Sequence, residues 1–213
     1  MEKSKKPLLV WQIAKINLRH NFLPLLFLSF IIMLLVPVIF GITNLDNRAA
    51  AAPLEMLIST LGIVLLVPVF QPEQNPDIED IVSSKYVDQI IVHLIRIAYS
   101  LVSLVLLIAL FSLVMILNGC EITLIMYFGT IADAMFLGAI GLLTAAITNN
   151  LTVSFMPPII YYLLNITMQR KLGVFNLFAM MNENYAPNVW LFLTGITLIV
   201  VSVLIKRVIT KQR

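Results

Sequence analysis

The stretch Ile97–Asn118, IAYSLVSLVLLIALFSLVMILN, contains no charged side chain. A helix needs roughly 20 predominantly apolar residues to cross about 30 Å of bilayer hydrocarbon. The apolar residues of the stretch do not alternate with polar ones, as the strands of a membrane barrel require. Because only helices and closed barrels satisfy their backbone hydrogen bonds in lipid, the stretch predicts a membrane-spanning helix.

The composition of the whole chain supports the same class. The chain has 213 residues, of which 60% are hydrophobic and 12% are charged, and its mean hydropathy is +0.98. A soluble domain carries about 25% charged residues, so the composition argues against a soluble enzyme, a disordered tail and a nucleic-acid module. The net charge of +3 requires no nucleic acid, because membrane proteins collect Lys and Arg on one side. The single Cys120 excludes an intrachain disulfide framework.

Six stretches are long and apolar enough to be spans, which predicts an all-α integral membrane protein with one transmembrane domain over residues 1–213. The predicted spans are 22–42, 53–70, 97–118, 122–148, 151–169 and 186–205. With the N-terminus inside, eleven of the fourteen basic residues fall on the inner side. This asymmetry predicts that both termini are cytoplasmic, and it places the acid-rich loop between spans two and three in the cytoplasm.

Two cytoplasmic segments are candidates for contact with other molecules. Residues 8–20 predict an interfacial amphipathic helix, with Trp11 near the lipid headgroups and Lys15 and Arg19 facing phosphates. It is either a plain membrane anchor or a connecting helix that also touches a cytoplasmic protein. In the loop 71–96, Asn75 can cap a helix whose first turns hold acidic residues. Such a helix is either a docking surface or a solvated loop without a partner.

The same loop carries a resemblance to a known family. The sequence PVFQPEQ at 68–74, then IEDIVSSKY at 78–86 and Arg96 at the start of the third span resemble the membrane subunits of ABC transporters of the ABC-2 type. The resemblance implies a permease of a bacterial ATP-driven exporter in the cell membrane, with a coupling helix in this loop. It also implies an ATP-binding subunit and a second permease copy, identical or related, as partners. The positions it places at the ATPase interface are Glu73, Asp77, Glu79, Asp80, Lys85 and Tyr86.

The chain itself is not expected to be an enzyme. None of its eight glycines is followed by Lys, whereas a phosphate-binding P-loop ends in Gly-Lys-Ser/Thr. ATP and magnesium are therefore expected on a separate subunit, and no cofactor is expected here. His20 and His93 have no ligand partners at suitable spacing, so no metal site is predicted, and no pair of catalytic residues can be proposed.

Asp133 is an acid inside the fourth predicted span, where a carboxylate is costly and therefore a functional candidate. Three interpretations stay open: a structural hydrogen bond, a place beside a substrate path, or the proton-coupling group of an ATP-independent carrier. The substrate is expected to be amphipathic, such as a peptide, an antibiotic or a lipid-like molecule. The candidate pathway residues are Asp133, Pro157, Phe175 and Phe178.

Three further patterns concern packing. Ala134 and Gly138 form a small-xxx-small pair in the fourth span, which packs either within the chain or against a second permease copy. The Met156-Pro-Pro sequence predicts a bend or unwinding early in the fifth span. The amphiphilic segment 170–187 predicts a half-inserted or interfacial helix, either a lid over a substrate exit or a surface helix without function.

Overall fold

The computed structural model describes residues 21–74, 89–168 and 171–212. Within these ranges the protein is helical without strands, and six helices are long and apolar enough to cross a membrane. This confirms the predicted all-α, multi-span class. The α-helices are α1 Leu23–Phe40, α2 Asn47–Met56, α3 Leu61–Leu66, α4 Gln89–Leu117, α5 Leu124–Thr148, α6 Leu151–Met168 and α7 Ala186–Gln212.

The connections between helices lie at two ends of the bundle. The backbone N–H of Asn44 donates to the carbonyl of Asn118 (3.0 Å), and the N–H of Glu121 donates to the carbonyl of Leu45 (2.9 Å). We call this the outer end, after the predicted orientation. At the opposite inner end, Lys206 Nζ donates to Asn149 Oδ1 (2.8 Å). Successive connections lie at opposite ends of the bundle, as expected for a chain that crosses the membrane repeatedly. Which end faces the cytoplasm remains a prediction.

The second span differs from its predicted form in start and regularity. It begins at Asn47 rather than Pro53, because the Asp46 side chain caps α2 by accepting from the N–H of Ala49 (3.0 Å). It then passes through a 3-10 turn at Ile58–Thr60, the short helix α3 and a 3-10 stretch at Val67–Gln74. Pro68 has no N–H to donate in this last stretch, which favours the departure from α-helical bonding.

The fifth α-helix, α5, is the most buried span and forms the centre of the bundle. A Cβ atom on Gly62 of α3 would collide with the backbone of Ala134, and one on Gly138 would collide with the carbonyl of Gly62. The small residues therefore let α3 and α5 approach backbone to backbone. Of the two predicted uses of Ala134 and Gly138, the structure shows packing within the chain.

Two helices extend further at the inner end than predicted. The helix α4 starts at Gln89 rather than Ile97, and α7 continues past Ile205 to Gln212. His93 and Arg96, expected in the loop, are therefore helical, and both are buried. The residues preceding Ile97 are mostly apolar, and the predicted span began there because Arg96 is charged. The helix itself continues past this charge.

Two predicted irregularities have a different form. The helix α6 runs uninterrupted from Leu151 to Met168 with Pro157 and Pro158 inside it, so the expected unwinding does not occur. Conversely, the segment 171–185 is not one helix but two 3-10 turns, Gly173–Phe175 and Met180–Asn182, joined by irregular backbone. We refer to 171–185 as the outer segment.

Part of the predicted cytoplasmic surface lies outside the described residues. This applies to the interfacial helix 8–20 and, in the coupling loop, to Asp77, Glu79, Asp80, Lys85, Tyr86 and the side chain of Glu73.

Candidate functional site

Glu55 of α2 is fully buried and binds the backbone of the outer segment. Its carboxylate accepts hydrogen bonds from the N–H groups of Met180 (2.5 Å) and Met181 (3.1 Å). Buried backbone N–H groups that lack a helical partner must be satisfied by another acceptor, and a carboxylate accepts such bonds strongly. Glu55 thereby holds the 3-10 turn Met180–Asn182 against the second span.

Side chains of α6 hold the rest of the outer segment. Asn165 Oδ1 accepts from the N–H of Leu177 (2.9 Å), and the hydroxyl of Tyr161 donates to the carbonyl of Phe175. Tyr162 of the same helix donates to the carbonyl of Met56 at the end of α2 (2.6 Å). The outer segment is thus fixed between the second and fifth spans by their polar side chains.

Asp133 of α5 is fully buried and is hydrogen-bonded to α7. Its Oδ1 accepts from Nδ2 of Asn188 at 3.3 Å. Among the described residues, Asp133 Oδ2 and Asn188 Oδ1 are buried and have no hydrogen-bond partner. Met180, whose N–H Glu55 accepts, and Asn188 both lie against Gly129 of α5. The outer end therefore contains a buried polar cluster formed by Glu55, Asp133 and Asn188.

A cavity of about 250 Å³ opens beside this cluster between α5 and α7. Asn188 is the only amide in its wall, and the other wall residues described are Ile125, Phe128, Gly129, Ile131, Ala132, Tyr185, Val189 and Phe192. A Cβ atom on Gly129 would collide with Met180 Sδ and Asn188 Nδ2. Because Gly129 has no side chain, Met180 of the outer segment and the amide of Asn188 can both pack against α5 at this position.

The four candidate pathway residues occupy different environments. Asp133 reaches the cavity wall through Asn188, whereas Pro157 is half-buried in α6 and does not line the cavity. Phe175 is 38% exposed and stacks on Phe136, with ring centroids 6.2 Å apart. Phe178 is buried against Tyr162, with centroids 5.6 Å apart. Both phenylalanines belong to the outer segment and neither lines this cavity.

Sequence analysis singled out Asp133 but missed Glu55 and Asn188. A usable signal was present, because an acid in an apolar span is a functional candidate by default and Glu55 lies within the predicted stretch 53–70. Asn188 gave no such signal, because uncharged polar residues are common near the ends of membrane spans.

A second group of buried polar side chains lies at the inner end, next to the loop between the second and third spans. Arg96 Nη1 donates to the carbonyl of Val69 (3.3 Å). The ring of Phe70 packs edge-on against His93 (centroids 5.0 Å apart), and Lys206 Nζ lies 5.6 Å from the centroid of the same ring. The end of the second span is thus joined to α4 and α7 immediately before the acidic loop begins.

Comparisons with protein-family models, with curated proteins and with solved structures find no match to this chain. Within the described ranges, no group of three or more His, Cys, Asp or Glu side chains is placed to hold a metal ion.

Proposed function

We propose that this chain is the membrane-spanning subunit of an ATP-driven exporter of the ABC-2 type in a bacterial cell membrane, moving an amphipathic substrate. The observation that carries the proposal is the sequence of residues 66–96, with its acid-rich loop between spans two and three. Six apolar helices long enough to cross a membrane support it. ATP would bind to a separate subunit docked under residues 73–88, and a second permease would complete the pathway.

The contacts at the inner end suggest how a push on the loop would reach the bundle. The loop follows directly on Val69 and Phe70, which contact Arg96 and His93 of α4 and Lys206 of α7. Tightly packed elements transmit displacement because they have little room to deform. A shift of the loop would therefore move the second, third and sixth spans together.

The close approach of α3 and α5 extends this path to the outer end. The backbone contact at Gly62 leaves no compressible side chain between the two helices. The second span then continues upward to Glu55, which holds the outer segment. In this mechanism, closure of the ATPases at the inner end would move the second span. That movement would shift Glu55 and the outer segment hydrogen-bonded to it.

The test is co-purification of the tagged full chain with a P-loop ATPase from its host. We expect a complex that hydrolyses ATP, and we expect the Glu79→Arg/Asp80→Arg variant to lose the ATPase while keeping its elution profile. Glu121→Arg, a charge reversal at an exposed position of the outer end, is the control and should keep it. Normal ATPase binding by the double variant would contradict the proposal.

A second candidate is an ATP-independent carrier that uses Asp133. The observation in its favour is Asp133 Oδ2, which is buried in the fourth span and has no hydrogen-bond partner among the described residues, because ionisable side chains inside spans are typical of proton relays. This function predicts proton-driven transport by the purified chain without nucleotide, abolished in Asp133→Asn and retained in Glu121→Gln. A strict requirement for ATP would exclude it.

A further inference from the structure

We propose that the cavity between α5 and α7 holds one hydrocarbon chain of a bilayer lipid, from the leaflet at the outer end. The proposal rests on the shape and chemistry of the cavity wall, so it does not depend on whether an ATPase drives this chain.

The cavity is a groove with a buried floor and an exposed rim. Its floor includes Gly129 and Ala132 of α5, which are both buried, and such small residues leave room between neighbouring helices. On the rim, Phe128 of α5 is 63% exposed and Val189 of α7 is 61% exposed. The groove is therefore open on the surface that faces away from the bundle, and in a membrane this surface meets the bilayer.

The groove lies at the depth of lipid chains. Both helices that form it are long and apolar enough to span a membrane. The described wall on α5 runs from Ile125 to Ala132 and so begins one residue after the start of the helix at Leu124. A helix rises about 10 Å over this length, whereas one leaflet contributes about 15 Å of hydrocarbon. The groove therefore fits within the outer leaflet.

The chemistry of the wall selects a hydrocarbon. No charged side chain is among the wall residues described. Asn188 supplies the one amide of this wall, and that amide is buried and donates to Asp133. An ordered water molecule needs two to four polar partners, which these residues do not offer. The surface available to an occupant is therefore apolar and uncharged, as a lipid chain is.

The shape of the groove favours a thin chain over a helix of a second copy. Interfaces between membrane helices are rich in small residues that let backbones approach, whereas the rim carries the bulky side chains of Phe128, Val189 and Phe192. A helix with its side chains is about 10 Å wide, so it would rest on this rim and leave the cavity of about 250 Å³ empty beneath it. Groups that line an empty space lose dispersion contacts, and a flexible chain restores them.

The test is photolabelling of the purified full chain in phosphatidylcholine nanodiscs, in which a small fraction of the phosphatidylcholine carries a diazirine in one chain. Every lipid-facing residue meets some lipid, so the references are Leu34 of α1 and Leu163 of α6, 72% and 55% exposed. We expect residues 125–132 and 189–192 to carry at least about threefold more label per residue than both references, because a chain in a groove is contacted on several sides. Labelling equal to the references would overturn the proposal.

Two variants separate the groove from general lipid contact. Val189→Trp should fill the groove and reduce the label on residues 125–132 to the level of the references. Leu193→Trp, 51% exposed on the same helix but outside the wall, should leave that label unchanged. Both positions are exposed, so both variants should keep the elution profile of the wild type. Undiminished labelling in Val189→Trp would count against the site.

Crosslinking from the groove itself tests the other occupant, a second copy of this chain. A photoreactive amino acid at position 189 should form adducts with phosphatidylcholine, detected by the mass of the labelled peptide. A covalent dimer in place of these adducts would show that the groove is an interface between two copies, and it would overturn the proposal.

Discussion

Glu55 performs a task that local sequence cannot specify. Its carboxylate satisfies two backbone N–H groups of the outer segment, 125 and 126 positions further along the chain. A non-helical segment packed among membrane helices persists only if such groups find acceptors. The stability of the outer segment therefore depends on one buried acid.

Replacing Glu55 with Ala should loosen the outer segment. The change leaves the N–H groups of Met180 and Met181 without their acceptor, at a cost of about 2–5 kcal/mol. In right-side-out vesicles we expect faster trypsin cleavage at Lys171 and a lower unfolding temperature. Glu55→Gln, which keeps one acceptor, should be intermediate, and Glu121→Ala should match the wild type. Wild-type resistance in Glu55→Ala would show that the outer segment does not depend on this contact.

A surface ion pair joins the same turn to the start of α2. Arg48 Nε donates to Glu183 Oε1 at 2.9 Å. This hydrogen bond, together with the positive charge of Arg48, lowers the pKa of Glu183 below its ordinary value of 4.5. Because the folded-state pKa is the lower one, the pair contributes stability above pH 4.5 and loses it as the pH falls through the folded-state value.

Comparison of the wild type with Glu183→Gln over pH tests this pair. We expect a small difference in unfolding temperature near pH 7, because both side chains are more than half exposed. The difference should shrink as the pH falls below 4.5 and should also decrease with added salt. A difference that grows on acidification would contradict the assignment.

At the scale of elements, the spans were predictable and their interruptions were not. Spans one, four and five begin and end within a few residues of their predicted bounds, since long apolar runs leave a helix as the only stable form in lipid. The outer segment was predicted as a helix because its apolar residues are dense. Its observed irregular form depends on acceptors supplied by Glu55 and Asn165 from other spans, and no local pattern contains that information.

The contact between α3 and α5 gives a prediction at this scale. Gly62→Ala would place a methyl group on the backbone of Ala134, and overpacking of this kind costs about 1–3 kcal/mol. We expect less monodisperse protein after heating, measured by size-exclusion chromatography. Gly195→Ala is the control, since its nearest neighbour would be 3.3 Å from the new atom. If both variants kept the same monodisperse fraction, the close contact between α3 and α5 would not be needed for stability.

At the scale of the whole molecule, the orientation in the membrane rests on the distribution of basic residues, which the arrangement of helices does not by itself determine. The predicted ATPase surface could be judged only from sequence, because residues 75–88 lie outside the described ranges. The outer-end cluster required the three-dimensional structure, since Asp133 and Asn188 are 55 residues apart. The sequence therefore supports the class of protein, and the structure locates the buried polar site.

Thiol labelling tests the orientation. Cys120 is buried and its Sγ donates to the carbonyl of Ile42 (3.2 Å), so Cys120→Ser keeps a donor and gives a cysteine-free background. In intact cells, an impermeant maleimide should label Glu121→Cys at the outer end. It should label Asn150→Cys, in the exposed inner turn, only after permeabilisation. The reverse pattern would show that the N-terminus is outside.

The central claim, that the acidic loop is the docking surface of an ATPase, is tested most directly by photocrosslinking in living cells. A photoreactive amino acid at position 79 should form a crosslink to a P-loop ATPase, and the same residue at position 121 should not. If position 79 forms no crosslink to an ATPase while the protein is folded and its transport is active, the chain is not driven through this loop.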